Sequence, residues 1–227
     1  DDILEISSLE TKQVKIHQAP SNIHNIINEA VAVHNFRATE KNIQLTLVDN
    51  LPENDGLVMT DQSKLLKVLN NLIENALKFT TSGGYIEIGC RREDNSLHFY
   101  VKDTGIGIEP AKINKIFNRF TQADESIATN YGGLGLGLSI AKENIHLLNG
   151  TISVESELNK GSVFYFSIPY QPIFDDQILR KQLLSVPITS VVERTILIAE
   201  DESSNFIYLK ALLTHVNPNF KIIHAEN

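Results

Sequence analysis

Between Asp61 and Val101 the hydrophobic period of the chain changes once, and that change constrains the fold more than any other feature. Leu65, Leu69, Leu72, Ile73 and Ala76 recur at helical spacing, which predicts a helix from about Asp61 with one buried face. After Gly83-Gly84 the period becomes two. Ile86, Ile88 and Cys90 alternate, Glu93 to Ser96 makes a turn, and Leu97, Phe99 and Val101 alternate again. This is a β-hairpin. Any fold of this chain must hold a long amphipathic helix and an antiparallel strand pair in direct succession.

The flanking segments extend the pattern. Thr11 to Gln18 reads as a short strand, and Pro20-Ser21 offers an N-cap for a helix carrying Ile23, Ile26, Ile27, Ala30 and Val31 to about residue 39. Ile43, Leu45 and Leu47 predict a strand, Leu51 to Gly56 a turn-rich loop, and Leu57 to Thr60 a short extended piece. Ile113, Ile116, Phe117 and Phe120 predict a short amphipathic helix, followed to Gly132 by weakly patterned sequence that reads as a mobile lid or, alternatively, a disordered insertion. A further helix runs through Ala141, Ile145 and Leu148 to a stop at Asn149-Gly150. Two strands, about 151–156 and 162–169, turn Phe164, Phe166 and Ile168 inward.

Three features carry chemistry. On the central helix, Asn71, Asn75 and Lys78 share a stripe distinct from the apolar one. An asparagine oxygen is a hard neutral ligand for Mg²⁺ and a lysine meets phosphate oxygens, although a solvated helix face would look the same. Asp103-Thr104-Gly105-Ile106-Gly107-Ile108 puts a carboxylate at a strand end before two spaced glycines, where it can reach a ligand, although the pattern by itself reads first as a structural turn. Gly132 to Leu138 leads glycines into a helix N-terminus, where free N–H groups and the helix dipole favour anions. It lacks the Gly-Lys-Ser/Thr of a P-loop.

Composition narrows the classes. A net charge of -8 over 227 residues argues against a non-specific nucleic-acid or anionic-membrane surface. The single cysteine, Cys90, excludes an internal disulfide and a multi-cysteine zinc site, and suits a reducing, cytoplasmic setting. No apolar run is long enough to span a bilayer and no signal peptide heads the chain, so if a parent protein is anchored in the inner membrane, the anchor is expected outside this chain.

In order and spacing, NLIENALKF, DTGIGI, IFNRF and GGLGLGLSIAK resemble the N, G1, F and G2 boxes of the sensor histidine kinase ATP-binding domain. That family shares its fold with DNA gyrase, mismatch-repair and heat-shock chaperone ATPases. The resemblance covers about 21 to 170. It implies a Bergerat-type α/β fold, a two-layer sandwich of mixed sheet against helices, with ATP and Mg²⁺ held under a lid. It implies that Asn75 ligates Mg²⁺, that Asn71 and Lys78 contact phosphates, and that Glu74 acts as general base or orienter. Asp103 would accept the adenine amino group while Gly105 and Gly107 let the backbone pass the base. Gly133, Gly135, Leu136, Gly137 and Leu138 would form the phosphate seat. Phe117 and Phe120 would anchor the lid, with Arg119 near the phosphates. Leu134 stands where many relatives carry Thr or Ser. An ATPase clamp and a decayed nucleotide scaffold are the competing functions for the same fold.

Residues 1–20 resemble the end of a dimerisation helix and its link, so a homodimer is implied for the complete protein. None of the seven histidines has the His-Glu/Asp context of a phosphoacceptor, which is therefore expected outside this chain. After a linker over 171–194, Thr195 to Glu202 reads as a buried strand ending in acids, with a helix over about 205–214 and a strand near Lys221 to His224. This resembles the first third of a receiver domain, in which Glu200 and Asp201 would hold Mg²⁺. An incomplete receiver is expected to be poorly ordered, because it cannot bury its core.

Overall fold

The computed structural model describes residues 14–119, 135–173, 195–199, 206, 209, 210, 213 and 220–225. The chain divides into two compact units, Asp1–Ile173 and Phe174–Asn227.

The first unit is built on a five-stranded mixed sheet. Its strands are β2 (Gln44–Asp49), β4 (Tyr85–Glu93), β5 (Ser96–Asp103), β6 (Thr151–Glu157) and β7 (Gly161–Pro169), in the order β2-β4-β5-β7-β6. β2 runs parallel to β4, and every other pairing is antiparallel. One face of the sheet carries Ile86, Ile88, Cys90, Leu97, Phe99, Val101, Phe164, Phe166 and Ile168, all buried. Onto it pack helices α1 (Ile23–Glu40), α2 (Gln62–Phe79) and α3 (Gly137–Leu147). Phe99 and Phe166 stack at 4.6 Å in the middle of this layer. The two-layer α/β sandwich is thus the fold. On the opposite face, the Tyr100 ring lies over Gly89, where a Cβ would come within 2.0 Å of it.

α1 follows the predicted stripe, with Ile23, Ile26, Ile27 and Ala30 fully buried. Its start differs from expectation. Asn22 is the cap, accepting from Asn25 N at 3.1 Å, while Ser21 is buried in a strand. That strand, β1 (Ala19–Asn22), pairs with β3 (Leu57–Thr60), so the predicted strand over Thr11 to Gln18 is displaced toward α1. Over 14–18 there is no strand. The partner decides: β3 is four residues long, and Ile23 N, directly after β1, donates to Gly56 O, directly before β3.

The predicted helix around Ile113 is also corrected. Ile113–Lys115 is a single 3-10 turn, and Lys112, Lys115 and Asn118 each donate to the carbonyl three residues back. So short a segment, entered at Pro110, has too few residues to offset helix nucleation. Its apolar residues are held by tertiary contact instead. Ile116 is buried and Phe117 meets Phe164 edge-on at 6.4 Å. α3 ends as predicted. Asn149 takes φ 58°, and Gly150 N and Asn149 N donate to Ile145 O and His146 O, a Schellman closure.

In the second unit β8 (Thr195–Ala199) and β9 (Lys221–Ala225) pair in parallel, and His224 stacks on Phe206 at 3.8 Å. Glu200 and Asp201 lie outside the described residues, as do Phe120, Gly133 and Leu134.

Candidate functional site

α2 is the scaffold of the site, and its start is fixed by one side chain. Asp61 Oδ1 accepts from Ser63 Oγ at 2.7 Å and Lys64 N at 3.1 Å, and Oδ2 accepts from His17 N at 2.9 Å. Burial pushes this carboxyl up, but the hydrogen bonds from Ser63, His17 and Lys64 outweigh it and hold it below the ordinary carboxylate value.

From that cap the helix presents three faces. The apolar residues Leu65, Leu69, Leu72, Ile73 and Ala76 are buried in the core. A second face meets α1 through His34 Nε2 and Asn70 Oδ1 at 3.1 Å, Arg37 Nη1 and Glu74 Oε1 at 3.1 Å, and Lys41 Nζ and Leu77 O at 2.9 Å. Glu74 therefore points its carboxylate at Arg37, in an exposed pair of a kind worth under about 1 kcal/mol. The third face carries Asn71 and Asn75. A Cβ built on Gly137 would lie 3.4 Å from Asn71 Oδ1 and 3.9 Å from Asn75 Nδ2. The two asparagines thus face the first residue of α3 across a gap that glycine leaves open.

The N-terminus of α3 has no side-chain cap, because its preceding residue is Leu136 and Ser139 Oγ donates to Leu136 O instead. Its first N–H groups have no intrahelical acceptor. Gly135 precedes it at φ 69°. Leu136 is buried beside Ile140 and Leu138 packs on the main core, so these two leucines can serve an anion only through their backbone. Across the gap, Asn71 Nδ2 is buried and finds no hydrogen-bond partner among the described residues. Burial also lowers the Lys78 ammonium from its ordinary value, with Glu74 opposing, and Lys78 Nζ sits 5.1 Å from the Phe79 ring centroid.

Asp103 closes β5 and is buried. Burial pushes its carboxyl up, against hydrogen bonds from the Gly105 and Ser162 N–H groups; the former is 2.8 Å long. The loop that follows is threaded between two walls. On one side Ile106 N donates to Phe79 O at 3.3 Å, and a Gly105 Cβ would fall 2.5 Å from that same carbonyl oxygen. On the other, Asn159 N donates to Ile106 O at 2.7 Å and Ile108 N to Ser156 Oγ at 2.8 Å. Gly107 takes φ 67° with the Glu157 carbonyl against it. The Asp103 loop therefore meets α2 one residue past Lys78, and it is locked to the β6–β7 turn.

Of the expected site residues, Asn71, Asn75 and Gly137 converge, Asp103 and Gly105 lie beside the α2 C-terminus, and Gly107 sits against the β6–β7 turn. Phe117 is wedged against Phe164, with Lys142 Nζ 6.0 Å from its ring, and Arg119 is half-buried. Arg37, Ser156 and Ser162 were missed by the sequence reading. No cluster of three or more His, Cys, Asp or Glu able to hold a metal occurs among the described residues. A divalent cation here would rely on Asn75 and on a ligand's own oxygens.

A mixed sheet backed by helices, with an open helix N-terminus facing a polar stripe, defines a nucleotide-binding α/β domain. Residues 60–172 match the family of histidine kinase-, DNA gyrase B-, and HSP90-like ATPases, and the chain carries the ATP-binding catalytic domain of histidine kinases. It is 39% identical over 176 residues to the autoinducer 2 sensor kinase/phosphatase LuxQ of Vibrio vulnificus, covering 75% of this chain and 20% of LuxQ. It is 33% identical over 178 residues to the sensor histidine kinase WalK of Bacillus subtilis, covering 78% of this chain and 29% of WalK. Among solved structures, full-length ShkA in complex with AMPPNP superposes at a TM-score of 0.69 and 25% identity, over 100% of this chain and 44% of ShkA. The catalytic domain of histidine kinase ThkA does so at 0.59 and 26% identity, over 69% of this chain and 97% of that domain. The chain thus spans between a fifth and a third of these two curated relatives.

Proposed function

We propose that this chain binds Mg·ATP and, within a longer hybrid sensor histidine kinase, presents the γ-phosphoryl group for transfer to a histidine. The observation that carries this reading is the gap between Asn71, Asn75 and Gly137. An orphaned buried amide on one side and an uncapped helix N-terminus on the other form a donor set suited to phosphate oxygens. Asn75 Oδ1 would hold Mg²⁺, whose role is to neutralise charge on the phosphates. Asn71, Lys78 and the N–H groups of Gly137 and Leu138 would bind those oxygens, with Gly133 and Gly135 letting the backbone come close. Asp103 would accept the adenine amino group. Glu74, tied to Arg37, would orient rather than act as a general base. The contribution of these residues is positioning and charge stabilisation.

The β8–β9 parallel pair supports reading residues 195–227 as part of a receiver, with Glu200 and Asp201 as its acidic Mg²⁺ pair. The partners we infer for the longer protein are its own dimerisation and phosphoacceptor domain, its receiver and a second copy.

A calorimetric titration of the full chain with a non-hydrolysable ATP analogue, with and without Mg²⁺, tests the site. Saturable binding that weakens without Mg²⁺ and in Asp103→Asn is expected. No saturation by folded protein would refute the nucleotide site. Incubation with ATP should yield no phosphohistidine on this chain.

A further inference from the structure

Asp103, Ser162 and Ser156 stand side by side on β5, β7 and β6: Asp103 pairs with Ser162, and Ser162 with Ser156. The adjoining inward-facing rows are Val101–Phe164–Val154 and Phe99–Phe166–Ile152. The apolar face of the sheet therefore ends in a polar row where the 103–108 loop departs. Ser156 is the node of that row. Its Oγ accepts from Ile108 N at 2.8 Å, donates to Gly161 O at 2.9 Å and lies 2.9 Å from Ser162 Oγ. A hydroxyl has one proton and two lone pairs, so all three are used when Ser162 supplies the proton between the two serines.

We propose that Ser156 is a positioning residue for nucleotide recognition: its hydroxyl fixes the far end of the Asp103 loop, at Ile108, to the β6–β7 hairpin. This rests on Asp103 being the adenine acceptor. The physical route is short. Ser162 N donates to the Asp103 carboxylate, and Ile108 N terminates the loop that Asp103 opens. Removing the hydroxyl frees the Ile108 end of that loop and leaves the Ser162 hydroxyl without its partner, so the backbone beside the carboxylate loosens where a base would lie, while the phosphate gap beside α3 keeps its residues.

The test compares Ser156→Ala, Ser156→Thr and Ser153→Ala in the full chain, titrated with non-hydrolysable ATP and GTP analogues, beside amide exchange at Ile108. Ser156→Ala should weaken ATP about five- to tenfold, the worth of one or two net hydrogen bonds, leave the weak GTP affinity unchanged and speed exchange at Ile108. Ser156→Thr, which retains a hydroxyl, should restore discrimination, and Ser153→Ala, on the outward face, should match wild type. If the alanine variant fails to fold, Ser156→Cys takes its place with the same expectation. ATP affinity within twofold of wild type, or equal weakening of ATP and GTP, overturns the role of Ser156 alone. A wild type that binds no ATP, or an Asp103→Asn variant that binds normally, overturns the adenine reading instead.

Discussion

Gly161 and Gly83 make a matched pair for measuring what a close backbone approach costs. Both have positive φ, 107° and 82°. A Cβ on Gly83 would meet nothing within 4 Å, whereas one on Gly161 would lie 2.0 Å from Asp103 O, 2.8 Å from Asp103 C and 2.9 Å from Thr104 Cα. Gly83→Ala should therefore cost only backbone strain, about 1–2 kcal/mol. Gly161→Ala adds a collision with backbone that cannot swing aside, about 1–3 kcal/mol more by analogy with overpacking. The total of roughly 2–5 kcal/mol is a large fraction of the stability of an ordinary domain. Urea unfolding of both variants, followed by far-UV circular dichroism, gives the difference directly. Relief of the collision must move the Asp103 loop or the hairpin, so Gly161→Ala should also weaken ATP binding while Gly83→Ala leaves it intact. Equal destabilisation by the two substitutions, within about 0.5 kcal/mol, would refute the claim that proximity rather than φ demands glycine at 161.

Three other outcomes follow from the same geometry. Because burial raises the Asp103 carboxyl, it protonates on acidification before an ordinary aspartate; ATP affinity should fall as pH drops through that raised value, and Asp103→Asn should flatten the profile measured by titration. Burial lowers the His34 imidazole from its ordinary value, with the Asn70 hydrogen bond and Glu74 opposing, so the unfolded chain binds its proton first. Stability should be full above the ordinary histidine value and decline as pH falls from there toward the lowered folded value, and His34→Gln should remove that slope in thermal melts. The amides of β8 and β9 should exchange much faster than those of β4 and β5, since a two-stranded pair is marginal in water; strong protection throughout would contradict this.

What could be read from the sequence was what short-range periodicity records. Ile23 to Ala30, Leu65 to Ala76 and the hairpin over 85–103 each repeat within a few residues, and each element formed within a residue or two of its expected place. The strand before α1 was misplaced because its position depends on β3, about forty residues away. Around Ile113 the helical spacing was real, but Phe117 is fixed by Phe164 and not by helix hydrogen bonds. In the site, Asn71, Asn75 and Asp103 stood out because polar residues interrupt or end apolar patterns. The same signal marked Ser162 and Ser156, each ending an inward-facing alternation, 164-166-168 and 152-154. Their link to Asp103 needed the cross-strand register, which a linear reading does not contain.

Cys90 has a practical consequence. It is the chain's single thiol, it is buried in the inner face of β4, and burial, with Asp49 nearby, pushes its ionisation well above the ordinary thiol value. A thiolate is the reactive species, so alkylating reagents should reach it only when the central sheet opens. The native protein thereby contains its own clock for global unfolding. An additional cysteine placed on the surface could be labelled selectively without first replacing the buried one.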